Sequence, residues 1–209
     1  MAKKSASSRR WLDRHVADEW VQQAQQDGFR SRASYKLLGI EQRDKLFSRQ
    51  STVIDLGAAP GGWSQVARRA LDSKSRVIAL DILEMEPLDG VEFIQGDFRQ
   101  QAVLDQLLAL LGNQKADLVI SDMAPNISGI KAVDQPALIN LLELALELAE
   151  LVLKPNGKML VKVFEGSGLP EYRQQVKTCF NKVVMRKPAA SRNSSAEQFL
   201  LATGFQGKQ

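Results

Sequence analysis

Apolar residues follow two rhythms along the chain, and the change between them near position 51 divides it. From Arg9 to Gln26, Leu12, Val16, Trp20 and Ala24 recur at every fourth position. That is the spacing of a single helix stripe, and Gly28 follows as a breaker. Residues 32–47, carrying Tyr35, Leu38 and Phe47, predict a second helix. Beyond them the apolar residues gather into short, β-branched runs at 52–57, 76–81, 91–95, 117–122 and 158–164, the last after the turn Pro155-Asn156-Gly157. Two further runs, at 182–185 and 198–203, close the chain. Helical patterns at 62–72, 100–111, 136–153 and 170–180 alternate with these strands. In the third of them Glu143, Glu147 and Glu150 share one face and leucines fill the other. Strand–helix alternation of this kind predicts an α/β fold with a mostly parallel, doubly wound sheet. Residues 1–50 read as a basic, helical N-terminal extension and 51–209 as one α/β domain, with no internal repeat.

Composition narrows the chemistry. With 209 residues, 44% of them hydrophobic and 25% charged, the chain is long enough for a core and too apolar for disorder, apart from the Lys/Ser-rich residues 1–8, which are expected to be disordered. One cysteine, Cys179, excludes an internal disulfide and a cysteine metal cluster, and one histidine, His15, argues against a Ser-His-Asp triad. No metal is expected. The basic start is not followed by an apolar stretch, so a cytoplasmic protein with no membrane association is expected.

Charge is unevenly placed. Residues 1–50 hold 11 basic against 6 acidic side chains, residues 51–153 hold 7 against 15, and residues 154–209 hold 10 against 3. Two basic ends suggest a polyanion partner, most simply nucleic acid, and the acidic middle suggests a small-molecule site. Arg9, Arg10 and Arg14, then Arg30, Arg32 and Lys36, then Lys182, Arg186, Lys187 and Arg192 form three candidate phosphate-contact groups. Trp11 and Tyr35 are candidates for stacking on bases.

The small-molecule site is expected where the first strand meets its helix, at Asp55-Leu56-Gly57-Ala58-Ala59-Pro60-Gly61-Gly62-Trp63. Open α/β sheets bind ligands at the carboxyl ends of their strands. Glycines let a ligand approach the backbone, and helix-opening amides favour an anion. The loop has neither G-x-G-x-x-G nor G-K-[ST], so it fits a pyrophosphate poorly and a nucleoside carrying an amino acid better. Asp81, at the end of the second strand, is placed to accept from ribose hydroxyls, and Asp97, after the third, to reach the adenine end.

Three segments make the sequence recognisable: Asp55–Trp63, Ser121-Asp122-Met123-Ala124-Pro125-Asn126, and Val161-Lys162-Val163-Phe164. They resemble the FtsJ/RrmJ (RlmE) family of S-adenosylmethionine-dependent ribose 2′-O-methyltransferases acting on RNA, over nearly the whole chain. The resemblance implies a Rossmann-like methyltransferase fold of seven strands with the last antiparallel. It implies that Gly61, Trp63, Asp81, Asp97 and Asp122 line the S-adenosylmethionine site, alongside Gly57 and Gly62 of the glycine loop. It implies a catalytic tetrad of Lys36, Asp122, Lys162 and Glu197, with Lys162 as proton acceptor. The implied substrate is a uridine ribose in large-subunit ribosomal RNA, within the large ribosomal subunit, and the enzyme is expected to be a monomer. The stretches Ala189-Ala190 and Gln65-Val66-Ala67-Arg68 depart from the family pattern and bear on RNA contacts.

The residues support this chemistry independently. A sulfonium methyl is already activated, so positioning does most of the work, but a ribose hydroxyl must lose its proton during attack. A lysine can take that proton only when neutral. Burial and a second cation favour the neutral form, and neighbouring carboxylates oppose it. Either Lys162 is the base, or both lysines stay charged and stabilise the developing alkoxide. Three other readings compete: a transfer-RNA ribose methyltransferase, a non-catalytic S-adenosylmethionine/RNA-binding module, and a nicotinamide oxidoreductase that the missing G-x-G disfavours.

Overall fold

The computed structural model describes residues 18–125, 128–192 and 195–207. Residues 1–17, and with them Arg9, Arg10, Trp11 and Arg14, lie outside the described residues. Of the predicted first helix, the described residues hold α1 (Glu19–Gln26), capped by Asp18, whose side chain accepts the Trp20 amide at 3.1 Å. It ends where expected, at Gly28 with φ +68°. Helix α2 (Ser34–Asp44) is shorter than its predicted span. Lys45 turns left-handed, and the Glu41 carboxylate accepts the amides of Leu46 and Phe47. Those bonds bend the chain out of the helix and into the sheet.

Seven strands follow: β1 (Thr52–Leu56), β2 (Arg76–Asp81), β3 (Val91–Gln95), β4 (Ala116–Ser121), β5 (Leu153–Phe164), β6 (Phe180–Arg186) and β7 (Glu197–Phe205). Their order is β3-β2-β1-β4-β5-β7-β6. The first five are parallel, and β7 runs antiparallel to both neighbours, so the mostly parallel seven-stranded sheet is borne out. Helices α3 (Gly62–Ala70), α4 (Gln101–Leu111), α5 (Lys131–Val152) and α6 (Leu169–Cys179) connect them.

Strand alternation divides the core into two layers. Ile54, Ile78, Val119, Met159, Val161 and Leu200 face one layer with α4, α5 and α6. Val53, Val77, Leu118, Ile120, Leu160, Phe199 and Leu201 face the other with α2 and α3. Helix α2 buries Leu37 and Ile40 in this second layer, one position off the expected Leu38.

Two boundaries differ from the pattern. Helix α5 begins five residues before Pro136, at Lys131. Proline at 136 gives up one intrahelical bond but tolerates the early turns of a helix, and the Asp134 carboxylate anchors the preceding loop by accepting the Ser128 amide and hydroxyl and the Gly129 amide. The second difference lies at Pro155-Asn156-Gly157. These residues form an irregularity inside β5 instead of a turn before it, with Asn156 at φ +65° and a register shift against β4 between Ala116 and Leu118.

Candidate active site

The chain runs outward from β1 to β2 and β3, then returns to place β4 on the other side of β1. That reversal opens a crevice at the carboxyl ends of the strands. A cavity of about 630 Å³ lies there, within the usual range for a small-molecule site, and Gly57, Ala59, Asp81, Asp97, Asp122 and Met123 are on its walls.

The backbone of the glycine loop is fixed by its neighbours. Gly57 and Ala58 both donate to the Leu80 carbonyl, and Gly61 donates to Ala58. Gly57 sits at φ +72°, and a Cβ there would come within 2.2 Å of the Met123 side chain, so this turn is closed to any larger residue. Asp81 accepts the Ala59 amide on one oxygen and the Leu83 amide on the other, each at 2.8 Å. It joins the glycine loop to the loop after β2 while still lining the cavity. Asp97 is gripped by the Arg99 guanidinium, whose hydrogen bonds hold its carboxyl below the usual carboxylate range. Gly61 and Gly62 open α3, where the first amides have no intrahelical acceptor. Trp63 is 3% exposed: its indole N–H donates to the Ala33 carbonyl and its ring packs 5.5 Å from Phe199. Its side chain belongs to the core, leaving the backbone amide as its means of meeting a ligand.

A second group of side chains meets beside the cavity. Leu160 and Lys162 share one pleat face of β5, and Glu197 and Phe199 share the same face of β7, so both polar side chains point toward α2. Lys36, on α2, donates to Glu197 at 2.7 Å and lies 3.7 Å from Asp122 Oδ1. Lys162 Nζ lies 3.1 Å from the same Asp122 oxygen and donates to the Asp122 main-chain carbonyl. Four side chains whose contacting pairs lie 40, 86 or 161 positions apart along the chain thus form one network of two lysines and two carboxylates. Glu197 is set on its other oxygen by the buried Ser191 hydroxyl at 2.8 Å. Burial pushes the Glu197 carboxyl up, but Lys36, Ser191 and Lys162 together carry it below the usual range, so it is ionised. Asp122 belongs to both groups: it lines the cavity and touches both lysines.

Beneath this site Asp55 is 1% exposed and accepts the Ser64 hydroxyl at 2.6 Å on Oδ2, while Oδ1 is buried without a hydrogen bond. Burial pushes its carboxyl up to about 7, the Ser64 bond opposes that rise, and the charges of Asp122 and Asp81 add to it. The folded state therefore prefers the protonated acid. Its stabilising contribution is complete below the unfolded value of about 4 and is lost as pH rises to about 7. Asp55→Asn removes this loss. Because other groups titrate alike in both proteins, the melting temperature of the variant minus that of the parent is expected to grow by roughly 5 °C or more between pH 4.5 and 7.5. A difference that stays flat across this range would show that Asp55 is ionised throughout.

The basic residues expected to meet phosphate are partly spoken for. Arg32 pairs with Asp18 and donates to the Ala190 carbonyl. Arg186 holds Asp44 with two bonds of 2.7 and 2.6 Å, and Arg30 is engaged by three backbone carbonyls. Lys182, Lys187 and Arg192 are exposed. Tyr35 packs between Trp20 and Phe29 and donates to Asp27, an aromatic cluster of the N-terminal segment. Ser191, Ser64 and Gln65 support the site without any motif to announce them. Ser191 could have been suspected only from its place six residues before Glu197.

Comparisons with known proteins bear on the family and the fold. The family model described as FtsJ-like methyltransferase matches residues 29–205. The ribosomal RNA large subunit methyltransferase E of Marinobacter nauticus is 57% identical over 202 residues, which are 97% of this chain and 98% of that protein. The protein of the same name from Pseudomonas aeruginosa PAO1 is 53% identical over 205 residues, 98% of this chain and 99% of its own. A crystal structure from Plasmodium falciparum described as a ribosomal RNA methyltransferase superposes with a TM-score of 0.78 at 28% identity, covering 86% of this chain and all of that one.

Proposed function

The chain belongs to the FtsJ-like methyltransferase family, and from that premise we propose that it transfers a methyl group from S-adenosylmethionine to the ribose 2′-hydroxyl of a uridine in large-subunit ribosomal RNA. The reading extends to an assembled large ribosomal subunit as substrate and to a monomeric, cytoplasmic enzyme. The observation that carries it is Asp122: one carboxylate stands on the wall of the cavity and in contact with both lysines. A donor held in the cavity and an acceptor held at the lysines would then meet across a single residue.

The cavity fits the donor. Asp81 and Asp97 present carboxylates to hydroxyl and amine groups, the amides of Gly62 and Trp63 at the start of α3 suit a carboxylate, and the Gly57 turn, tight against Met123, keeps the backbone at the cavity wall. When bound, S-adenosylmethionine supplies a methyl group already activated on a positively charged sulfur. The chain's own residues do the rest. Lys162, as the neutral amine, would take the proton of the 2′-hydroxyl and so make its oxygen the nucleophile. Lys36 keeps Glu197 and Asp122 in place and offsets their charge beside the developing alkoxide. Glu197, fixed by Ser191, orients Lys36. Asp122 aligns both lysines with the donor, so reacting atoms are held in line instead of meeting by diffusion.

Incubation with radiolabelled S-adenosylmethionine and, in parallel, purified large ribosomal subunits, free ribosomal RNA and transfer RNA tests this. Label is expected in the RNA of the large subunit. Label confined to transfer RNA would replace the proposed substrate by the competing one, and no label in any RNA would contradict the proposal.

A further inference from the structure

Arg30 belongs to the basic N-terminal segment, where a phosphate contact is the natural first reading. Its surroundings point elsewhere. Its guanidinium donates from one nitrogen to the Pro60 carbonyl at 3.2 Å and the Glu86 carbonyl at 2.6 Å, and from the other to the Pro87 carbonyl at 2.7 Å. Pro60 is in the glycine loop. Glu86 and Pro87 are in the loop that leaves β2 after Asp81, whose Ile82 and Leu83 line the cavity. The same two loops are tied on the cavity side by Asp81, through the Ala59 and Leu83 amides. Arg30 closes them on the outside, making a pair of bridges with the cavity wall between.

The arginine is itself held in place. Its amide donates to Gln65 Oε1 at 2.7 Å, and Gln65 in turn donates to the Gly28 carbonyl at 3.0 Å. Arg69 donates to the carbonyls of Asp27 and Gly28 and lies over the Phe29 ring. The segment 27–30 is thus pinned along α3, the helix that the glycine loop opens. Close packing fixes the other end: a Cβ on Gly61 would meet Arg30 at 3.1 Å and Met85 at 3.0 Å. A planar fork with several N–H donors can satisfy three carbonyls on two loops at once, which an ammonium cannot do in the same geometry.

We infer that Arg30 is a positioning residue for the methyl-donor site, bracing the glycine loop against the loop after β2 so that the donor cavity is formed before the ligand arrives. The inference rests on the reading of that cavity as the donor site. Preorganised walls raise affinity because the ligand need not order them. Loss of Arg30 should therefore appear as weaker donor binding, with the acceptor side unaffected.

The test titrates S-adenosylmethionine and S-adenosylhomocysteine calorimetrically into the full chain and into Arg30→Ala, Arg30→Lys and Asp81→Ala, with steady-state kinetics on large ribosomal subunits. Arg30→Ala is expected to weaken donor binding about tenfold. Arg30→Lys, which keeps the charge but not the fork, is expected to give an intermediate loss and serves if the alanine variant does not fold. In both, KM for the donor rises, while kcat at saturating donor and KM for the subunit stay within about twofold. Parent-like donor affinity in the Arg30 variants, with Asp81→Ala clearly weakened, would overturn the bracing role, as would a raised KM for the subunit alone. Parent-like affinity in Asp81→Ala as well would overturn the reading of the cavity itself.

Discussion

Lys162→Ala is expected to cut the single-turnover rate of methyl transfer by about 10²–10⁴-fold, the usual contribution of a positioned proton acceptor, while donor affinity stays within about twofold. The expectation follows from where the Lys162 amine sits. Lys162 is on the lysine side of Asp122, with Nζ 3.1 Å from the carboxylate and bonded to the same residue's main-chain carbonyl, and it is not on the wall of the donor cavity. Its removal deprives the acceptor hydroxyl of its base and leaves the glycine loop, Asp81 and Asp97 untouched. Rapid-quench measurement at saturating donor, paired with calorimetry on the same variant, separates the two quantities. A variant that retains most of the parent rate would refute the assignment of Lys162 as the base.

Asp122→Ala is expected to have a broader effect, because this residue serves both halves of the site. Lys36 and Lys162 are 12% and 9% exposed, and without Asp122 they stand close together with only Glu197 to offset them. Unpaired buried charge of this kind is costly. The donor cavity also loses one of its carboxylates. A loss of at least about 100-fold in kcat/KM is expected, with donor affinity falling too. That combination distinguishes Asp122 from Lys162, whose variant loses rate alone. Asp122→Ala with parent-like donor affinity would confine Asp122 to the acceptor side. Asp122→Asn, which keeps the shape and one side-chain oxygen acceptor for the lysines, is expected to lose less than Asp122→Ala; equal losses would place the effect in the charge alone.

Much of this site was legible in the sequence because strand ends carry it. The runs ending at Leu56, Asp81, Gln95 and Ser121 are short, apolar and bounded by turn residues, so their carboxyl ends, and with them Gly57, Asp81, Asp97 and Asp122, could be placed on one edge of the sheet before any coordinates. The meeting of Lys36 with Glu197 was not legible from periodicity. It depends on α2 lying over the β5–β7 face, a packing choice that the pattern of α2 does not specify, and only the family resemblance suggested it. Trp63 shows the opposite failure. The resemblance implied that it lines the cofactor site, whereas the first turn of α3 rotates the indole into the layer beneath α2 and leaves only the amide to meet a ligand. The arginines misled for a further reason. Charge counts along the chain do not reveal that Arg30, Arg32 and Arg186 are consumed by carbonyls and carboxylates of the fold itself, since the partners lie 14 to 158 positions away. The shift of α5 to Lys131 was hidden by Pro136, which reads as a helix start and is instead accommodated in the second turn.

The most direct test of the account is chemical identification of the product. Large ribosomal subunit RNA methylated by the full chain is digested to nucleosides, and the methylated nucleoside is identified by liquid chromatography and mass spectrometry, with Lys162→Ala in parallel. A single added methyl on the ribose oxygen of a uridine is expected with the parent protein, and none above background with Lys162→Ala at equal donor occupancy. A methyl group on a base, or a ribose methyl formed equally well without Lys162, would contradict it.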